Sequence, residues 1–190
     1  MAQAKTLTAA ELRRATDYIA TRPHAARNRA MLLTTHLAGL RVGEVALLSW
    51  SDAVDTNGQV REEIRLNADQ TKGRHPRTVY VSPKLRKELQ AYVNSIPARA
   101  PEAAFFYTQK HPRRGFTPNT LTQLFFNLYR GAGIEGASSH SGRRSFLTNL
   151  ANKGTSIHLL KTLAGHRSIQ TTAMYLYSSP AQLRAVVELV

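Results

Sequence analysis

The sequence predicts a mainly α-helical fold with one small antiparallel β insert, an α+β chain. Three observations lead there. Helix-entry signals recur from end to end, two short polar–apolar alternations flank a turn near the middle, and glycines fall where helical patterns end. The 190 residues suit one domain and are enough for a sizeable core.

Taken in order, Thr8-Ala-Ala-Glu11 is a capping-box pattern that opens a helix over about 9–21. Ala25 to Leu37 reads as a second helix that Gly39 stops. Val42 to Leu48 reads as a short third helix ending before Trp50. The period then changes. Glu63-Ile-Arg-Leu-Asn67 and Thr78-Val-Tyr-Val-Ser82 alternate as strands do, and Thr71-Lys-Gly-Arg-His-Pro76 between them carries turn chemistry, so this segment reads as a hairpin. Ser82-Pro83 starts another helix, with Ser as cap and Pro at the first helical position. Thr117-Pro118 repeats the device for a helix over about 119–130. Helices are also expected from Ser141 to Lys153, closed by Gly154, from Ile157 to Ala164, closed by Gly165, and around Ile169–Tyr175, with a last one starting at Ser179-Pro180.

Composition narrows the function. With no cysteine, disulfides and thiolate metal sites are excluded. No apolar run approaches the ~20 residues of a membrane helix. The first residues lack the apolar core of a signal peptide. A cytoplasmic location is the expectation, with no membrane partner. Lys and Arg number 26 against 12 Asp and Glu, for a net charge of +14. Of the 26, 19 are Arg, whose planar fork of donors matches phosphate oxygens, so the skew favours a phosphate-rich partner.

One region concentrates the chemistry. Ser138-Ser-His-Ser-Gly-Arg-Arg-Ser145 sets His140 and Arg143 three apart, which on a helix places both on one side, converging on one object. No acid lies between Gly136 and Glu188, so that object is expected to be an anion. Arg144 lies about 100° round the helix and reads as a backbone or surface contact. His166 follows Gly165 just past a helix end, nine residues before Tyr175. Arg41 follows the Gly39 stop, with Glu44 three residues on and within reach to orient its guanidinium. Lys72 stands in the hairpin turn. Singly, each of these is commonplace: an ion pair at a helix end, a lysine in a turn, a histidine after a glycine. Together Arg41, Lys72, His140, Arg143, His166 and Tyr175 form a chemical set. Two arginines can hold the non-bridging oxygens of a phosphodiester, a tyrosine can attack it, and Lys and His can move protons, with neither metal nor cofactor required.

The order Gly39-Leu-Arg-Val-Gly-Glu44, Thr71-Lys-Gly73, His140-Ser-Gly-Arg-Arg144 and Ala164-Gly-His-Arg-Ser-Ile-Gln-Thr-Thr-Ala-Met-Tyr175 resembles the tyrosine recombinase, or phage integrase, family over roughly residues 30–178. The resemblance implies a catalytic-domain fold of that family and site-specific cutting and rejoining of duplex DNA through a 3′-phosphotyrosine link. It implies Arg41 as the first catalytic arginine with Glu44 supporting it, and Arg143 as the second phosphate-binding arginine. It implies Lys72 as proton donor to the 5′-oxygen, His140 as assistant to proton transfer at the tyrosine, His166 as a phosphate-oxygen ligand and Tyr175 as nucleophile. A homo-oligomer on DNA, a tetramer, is implied as well. Tyr177 competes for the nucleophile role. Two residues apart on a helix means about 200°, and the spacing of nine from His166 selects Tyr175. Family members usually carry an N-terminal helical domain. Only about eight residues precede the first helix here, so 1–190 is expected to be a single catalytic domain with no N-terminal core-binding domain, either similar in size to the fimbrial phase-variation recombinases or a fragment. Two alternatives stand beside this reading: a non-catalytic basic DNA-binding protein of the same fold, and a DNA-relaxing enzyme of the type IB topoisomerase kind.

Overall fold

A computed structural model describes residues 4–71, 73–109, 114–176 and 187–188. The chain forms two compact units, Met1–Phe146 and Leu147–Val190, and the division falls inside one helix.

The first unit is built on α1 (Ala9–Ala20) and α2 (Ala25–Ala38). Thr8 accepts from the Glu11 amide while the Glu11 carboxylate accepts from the Thr8 amide, the reciprocal cap that the sequence pattern calls for. Gly39 ends α2 in the left-handed region at φ 67°. Next come α3 (Val42–Ala46) and α4 (Trp50–Ala53). The short helix expected over 42–48 thus ends earlier, because the Leu47 amide turns back onto the carbonyls of Gly43 and Glu44, and Ser49 then caps a new turn of helix.

Strands β1 (Glu63–Leu66) and β2 (Arg77–Tyr80) pair antiparallel, with Ile64 opposite Val79 and Leu66 opposite Arg77. Ile64, Leu66 and Val79 are buried, so one face of the hairpin seals against the core. A 3-10 turn at Ala68–Gln70, not apparent in the sequence, precedes the connection. Helix α5 (Pro83–Asn94) packs on α2, tied to it by a two-pronged ion pair in which Arg29 donates to Glu88 at 2.7 Å through both Nε and Nη2. Helix α6 (Pro118–Gly131) packs on α1 and α3 and carries Leu121, Phe125 and Tyr129 into the core. Helix α7 (Ser141–Asn152) begins in this unit.

The second unit holds the rest of α7, then α8 (Ile157–Ala164), capped by Ser156 and closed by Gly165, and α9 (Ile169–Ala173) packed on α8. The helix expected after Ser179-Pro180 lies outside the described residues. Among the described residues no helix is long and apolar enough to cross a membrane.

Candidate active site

In the first unit the site grows from the break between α2 and α3. The backbone must reverse there, and Gly39 does it at positive φ. Its missing side chain also matters, since a Cβ would stand 2.4 Å from Cδ1 of Phe146. The Gly39 carbonyl accepts a 2.6 Å hydrogen bond from Nη1 of Arg143, which is buried in the first turn of α7. Two residues on, Arg41 opens α3. A single short backbone segment therefore anchors two arginines 102 positions apart in sequence. Helix α7 can approach α2 this closely because its second residue is Gly142, where a Cβ would stand 2.1 Å from Oγ1 of Thr35.

Arg41 is oriented as its spacing from Glu44 suggests, but the pair has a third member. Glu44 is 1% exposed. Its Oε1 accepts from Arg41 Nη1 at 2.9 Å, and its Oε2 accepts from the Arg41 amide at 2.7 Å and from Nη2 of Arg77 at 2.7 Å. Burial pushes the Glu44 carboxyl up, but the Arg77 charge, the Arg41 amide and the Arg41 charge outweigh it and hold the group below the usual carboxylate range. Arg77 and Glu44 are the closed end of this triad, with side chains 9% and 1% exposed, while Arg41 at 27% is its open end.

Arg77 is not among the residues that motif spacing singles out, although the sequence carries a signal for it. Period-two alternation puts residue 77 on the inward face with Val79 and Val81, and a cation aimed inward requires an acid.

His140 departs from its expected setting. It stands one residue before α7, in a turn, so it and Arg143 do not form a pair on one helical face. His140 is exposed and Arg143 buried. The turn is held by Ser138, which accepts the His140 amide at 3.3 Å and donates its own amide to Ser141 Oγ at 2.9 Å. Ser139 Oγ lies 3.4 Å from His140 Nδ1. Arg144 is half-buried and donates from Nε to Thr6 Oγ1 at 3.2 Å. Lys72 lies outside the described residues.

In the second unit His166 and Tyr175 meet. Gly165 adopts φ 61°, and the His166 amide then bonds the Lys161 carbonyl at 3.1 Å, which sets the imidazole immediately beyond α8. Its ring lies 5.8 Å from that of Tyr175, centroid to centroid, at an interplanar angle of 21°. Nδ1 of His166 is 3.0 Å from Oγ1 of Thr172, a fully buried residue. Thr172 is a second residue that the sequence reading passed over. It engages the Nδ1 edge of the imidazole. Tyr175 itself is in a turn, because α9 ends at Ala173, with the Tyr175 amide bonded to the Thr172 carbonyl at 3.0 Å. The helical-wheel comparison with Tyr177 therefore does not apply, and Tyr177 lies outside the described residues. Among the described residues it is Tyr175 whose ring stacks on His166.

The sequence profile of the phage integrase family matches residues 5–182. The chain belongs to that family. Among its curated relatives, the tyrosine recombinase XerC of Rickettsia typhi is 28% identical over 161 residues, covering 84% of this chain and 50% of that protein. The tyrosine recombinase XerA of Thermococcus kodakarensis is 30% identical over 186 residues, covering 97% of this chain and 62% of that protein. The chain spans about half the length of the curated relatives it matches. Among solved structures, a XerA recombinase superposes with a TM-score of 0.77 at 24% identity, over 100% of this chain and 66% of that one. A lambda integrase fragment, solved as a dimer bound to a core site, superposes with a TM-score of 0.70 at 18% identity, over 95% of this chain and 62% of that one. Both superpositions show that the fold is shared.

Proposed function

We propose that this phage integrase family chain is the catalytic domain of a site-specific DNA recombinase, acting on duplex DNA as a homo-oligomer through a 3′-phosphotyrosine intermediate. The observation that carries the reading is the stack of Tyr175 on His166, with His166 held at Nδ1 by buried Thr172. A tyrosine intended as a nucleophile needs a fixed ring and a neighbour able to bind the group it attacks, and this arrangement supplies both.

In the proposed cycle the Tyr175 hydroxyl oxygen attacks the scissile phosphorus. The P–O5′ bond breaks as the Tyr–O–P bond forms. The tyrosine proton passes to His140, whose exposure suits a group that meets DNA. The departing 5′-oxygen takes a proton from Lys72. Arg41, Arg143 and His166 hold the non-bridging oxygens as their charge rises, Arg41 oriented by Glu44. The free 5′-hydroxyl of a partner strand then attacks the phosphotyrosine and restores the tyrosine. The bond energy is conserved in the covalent link, so no nucleotide cofactor is needed.

The reading is tested with a nicked duplex that traps the intermediate. Wild type should form a denaturant-stable protein–DNA adduct, and Tyr175→Phe should bind the duplex but form none. Binding without any adduct by wild type would favour the non-catalytic alternative. Relaxation of supercoiled DNA without exchange between two sites would favour the topoisomerase-like one.

A further inference from the structure

Glu44 carries one negative charge and faces two guanidinium groups in a nearly closed pocket. Three features of the triad assign different tasks to its two arginines. Oε2, the oxygen shared by the Arg41 amide and Arg77, receives Arg77 at 2.7 Å, while the Arg41 side chain meets only Oε1, at 2.9 Å. The Arg77 side chain is only 9% exposed beside the buried carboxylate, and Arg41, at 27%, reaches outward. Arg77 also leads the effects that keep the buried carboxylate ionised, ahead of either contribution from Arg41. Summed over the triad the charge is +1. Without Arg77 it would be zero, with the whole carboxylate charge acting on Arg41 alone. In a water-poor pocket such a pair is close to electrically silent toward a third, anionic group.

We propose that Arg77 is a positioning residue of the strand-cleavage reaction: by occupying Oε2 of Glu44 it lets the carboxylate orient Arg41 without cancelling the charge that Arg41 offers to the scissile phosphate. The inference rests on the reading of Arg41 as a phosphate ligand. It explains why a catalytic cation can tolerate a fully buried acid at hydrogen-bond distance. It also gives the hairpin a role apart from Lys72, since Arg77 is the first residue of β2, fixed opposite Leu66 by the strand register. Seating the hairpin and charging Arg41 become one event.

The experiment is single-turnover adduct formation on the nicked duplex, with DNA affinity and melting temperature measured for each protein. Arg77→Gln should slow attachment about tenfold to a hundredfold, less than the loss of a direct oxyanion donor, with DNA affinity nearly unchanged. Neutralising the acid as well, in Arg77→Gln/Glu44→Gln, should restore at least about tenfold of that loss, because the two charges compensate. A residue that only braced the fold would move rate and melting temperature together in both variants, so recovery of the rate without a matching recovery of the melting temperature marks the charge effect. Arg77→Lys, which keeps the charge but loses the fork, should stay within about threefold of wild type even if its melting temperature falls. A wild-type rate in Arg77→Gln, or no recovery in the double variant, would overturn the proposal. If Arg77→Gln does not fold, Arg77→Lys decides the matter: a rate loss approaching a hundredfold would overturn it. Arg41→Ala is the control for the underlying reading. Attachment by that variant at the wild-type rate would remove Arg41 from the reaction, and this inference with it.

Discussion

Gly39→Ala should destabilise the protein by an amount that can be split into two parts. The added Cβ meets a backbone at φ 67°, where an L side chain costs about 1–2 kcal/mol. It also arrives 2.4 Å from Cδ1 and 2.8 Å from Cε1 of Phe146, and overpacking of this kind costs about 1–3 kcal/mol. The total is about 2–5 kcal/mol, a fall in melting temperature on the order of 10 °C for a chain of this size. Phe146→Ala in the same chain removes the ring and with it the clash, but leaves the backbone strain. Denaturant titration of wild type, both single variants and the double variant isolates the clash as a favourable coupling of about 1–3 kcal/mol. Additive losses, with no coupling, would refute the argument, because they would mean that the ring is not what an added methyl meets. The same variant should slow DNA attachment more than it weakens DNA binding, since the carbonyl that anchors Arg143 belongs to residue 39.

Three further outcomes follow from the same geometry. Lys72→Ala should be slow on ordinary DNA and recover on a substrate with sulfur at the bridging 5′ position, where the leaving group needs no proton, and Arg41→Ala should recover much less; equal recovery would remove Lys72 as general acid. Arg41→Ala and Arg143→Ala should each slow attachment by on the order of 3 kcal/mol while changing DNA affinity little, and equal losses in rate and affinity would mark them as simple backbone contacts. His36, whose buried Nδ1 has no hydrogen-bond partner among the described residues, has its pKa lowered to about 4 by burial and by the Lys84 charge. The unfolded chain therefore binds the proton first as pH falls from 6.5 toward 4, and about 2–3 kcal/mol of stability should be lost by pH 4.5. His36→Gln should flatten that dependence in a denaturant series, and an unchanged slope would exclude His36 as its source.

The elements most legible in the sequence were those with local causes. Caps at Thr8, Ser82 and Thr117 and stops at Gly39 and Gly165 each satisfy backbone groups a few residues away, so a short window contains the whole reason for them. The arginine triad was only half legible. Arg41 and Glu44 are three residues apart, but Arg77 reaches Glu44 across 33 positions, and only the inward face of its strand hinted that it needed an acid. His140 shows the opposite failure: its three-residue spacing from Arg143 reads as helical, whereas the helix starts at Ser141, where its boundary is expected, and leaves His140 in a turn held by Ser138 and Ser141. The Gly39–Arg143 bond spans 104 positions and joins a backbone carbonyl to a side chain, a contact with no signature in composition or periodicity.

The most direct test of the account is the identity of the residue joined to DNA. Wild-type protein trapped on a nicked duplex, digested with nuclease and protease and read by tandem mass spectrometry, should yield one modified peptide with a 3′-phosphonucleotide on Tyr175. The same mark on Tyr177, or on no tyrosine at all, would contradict it.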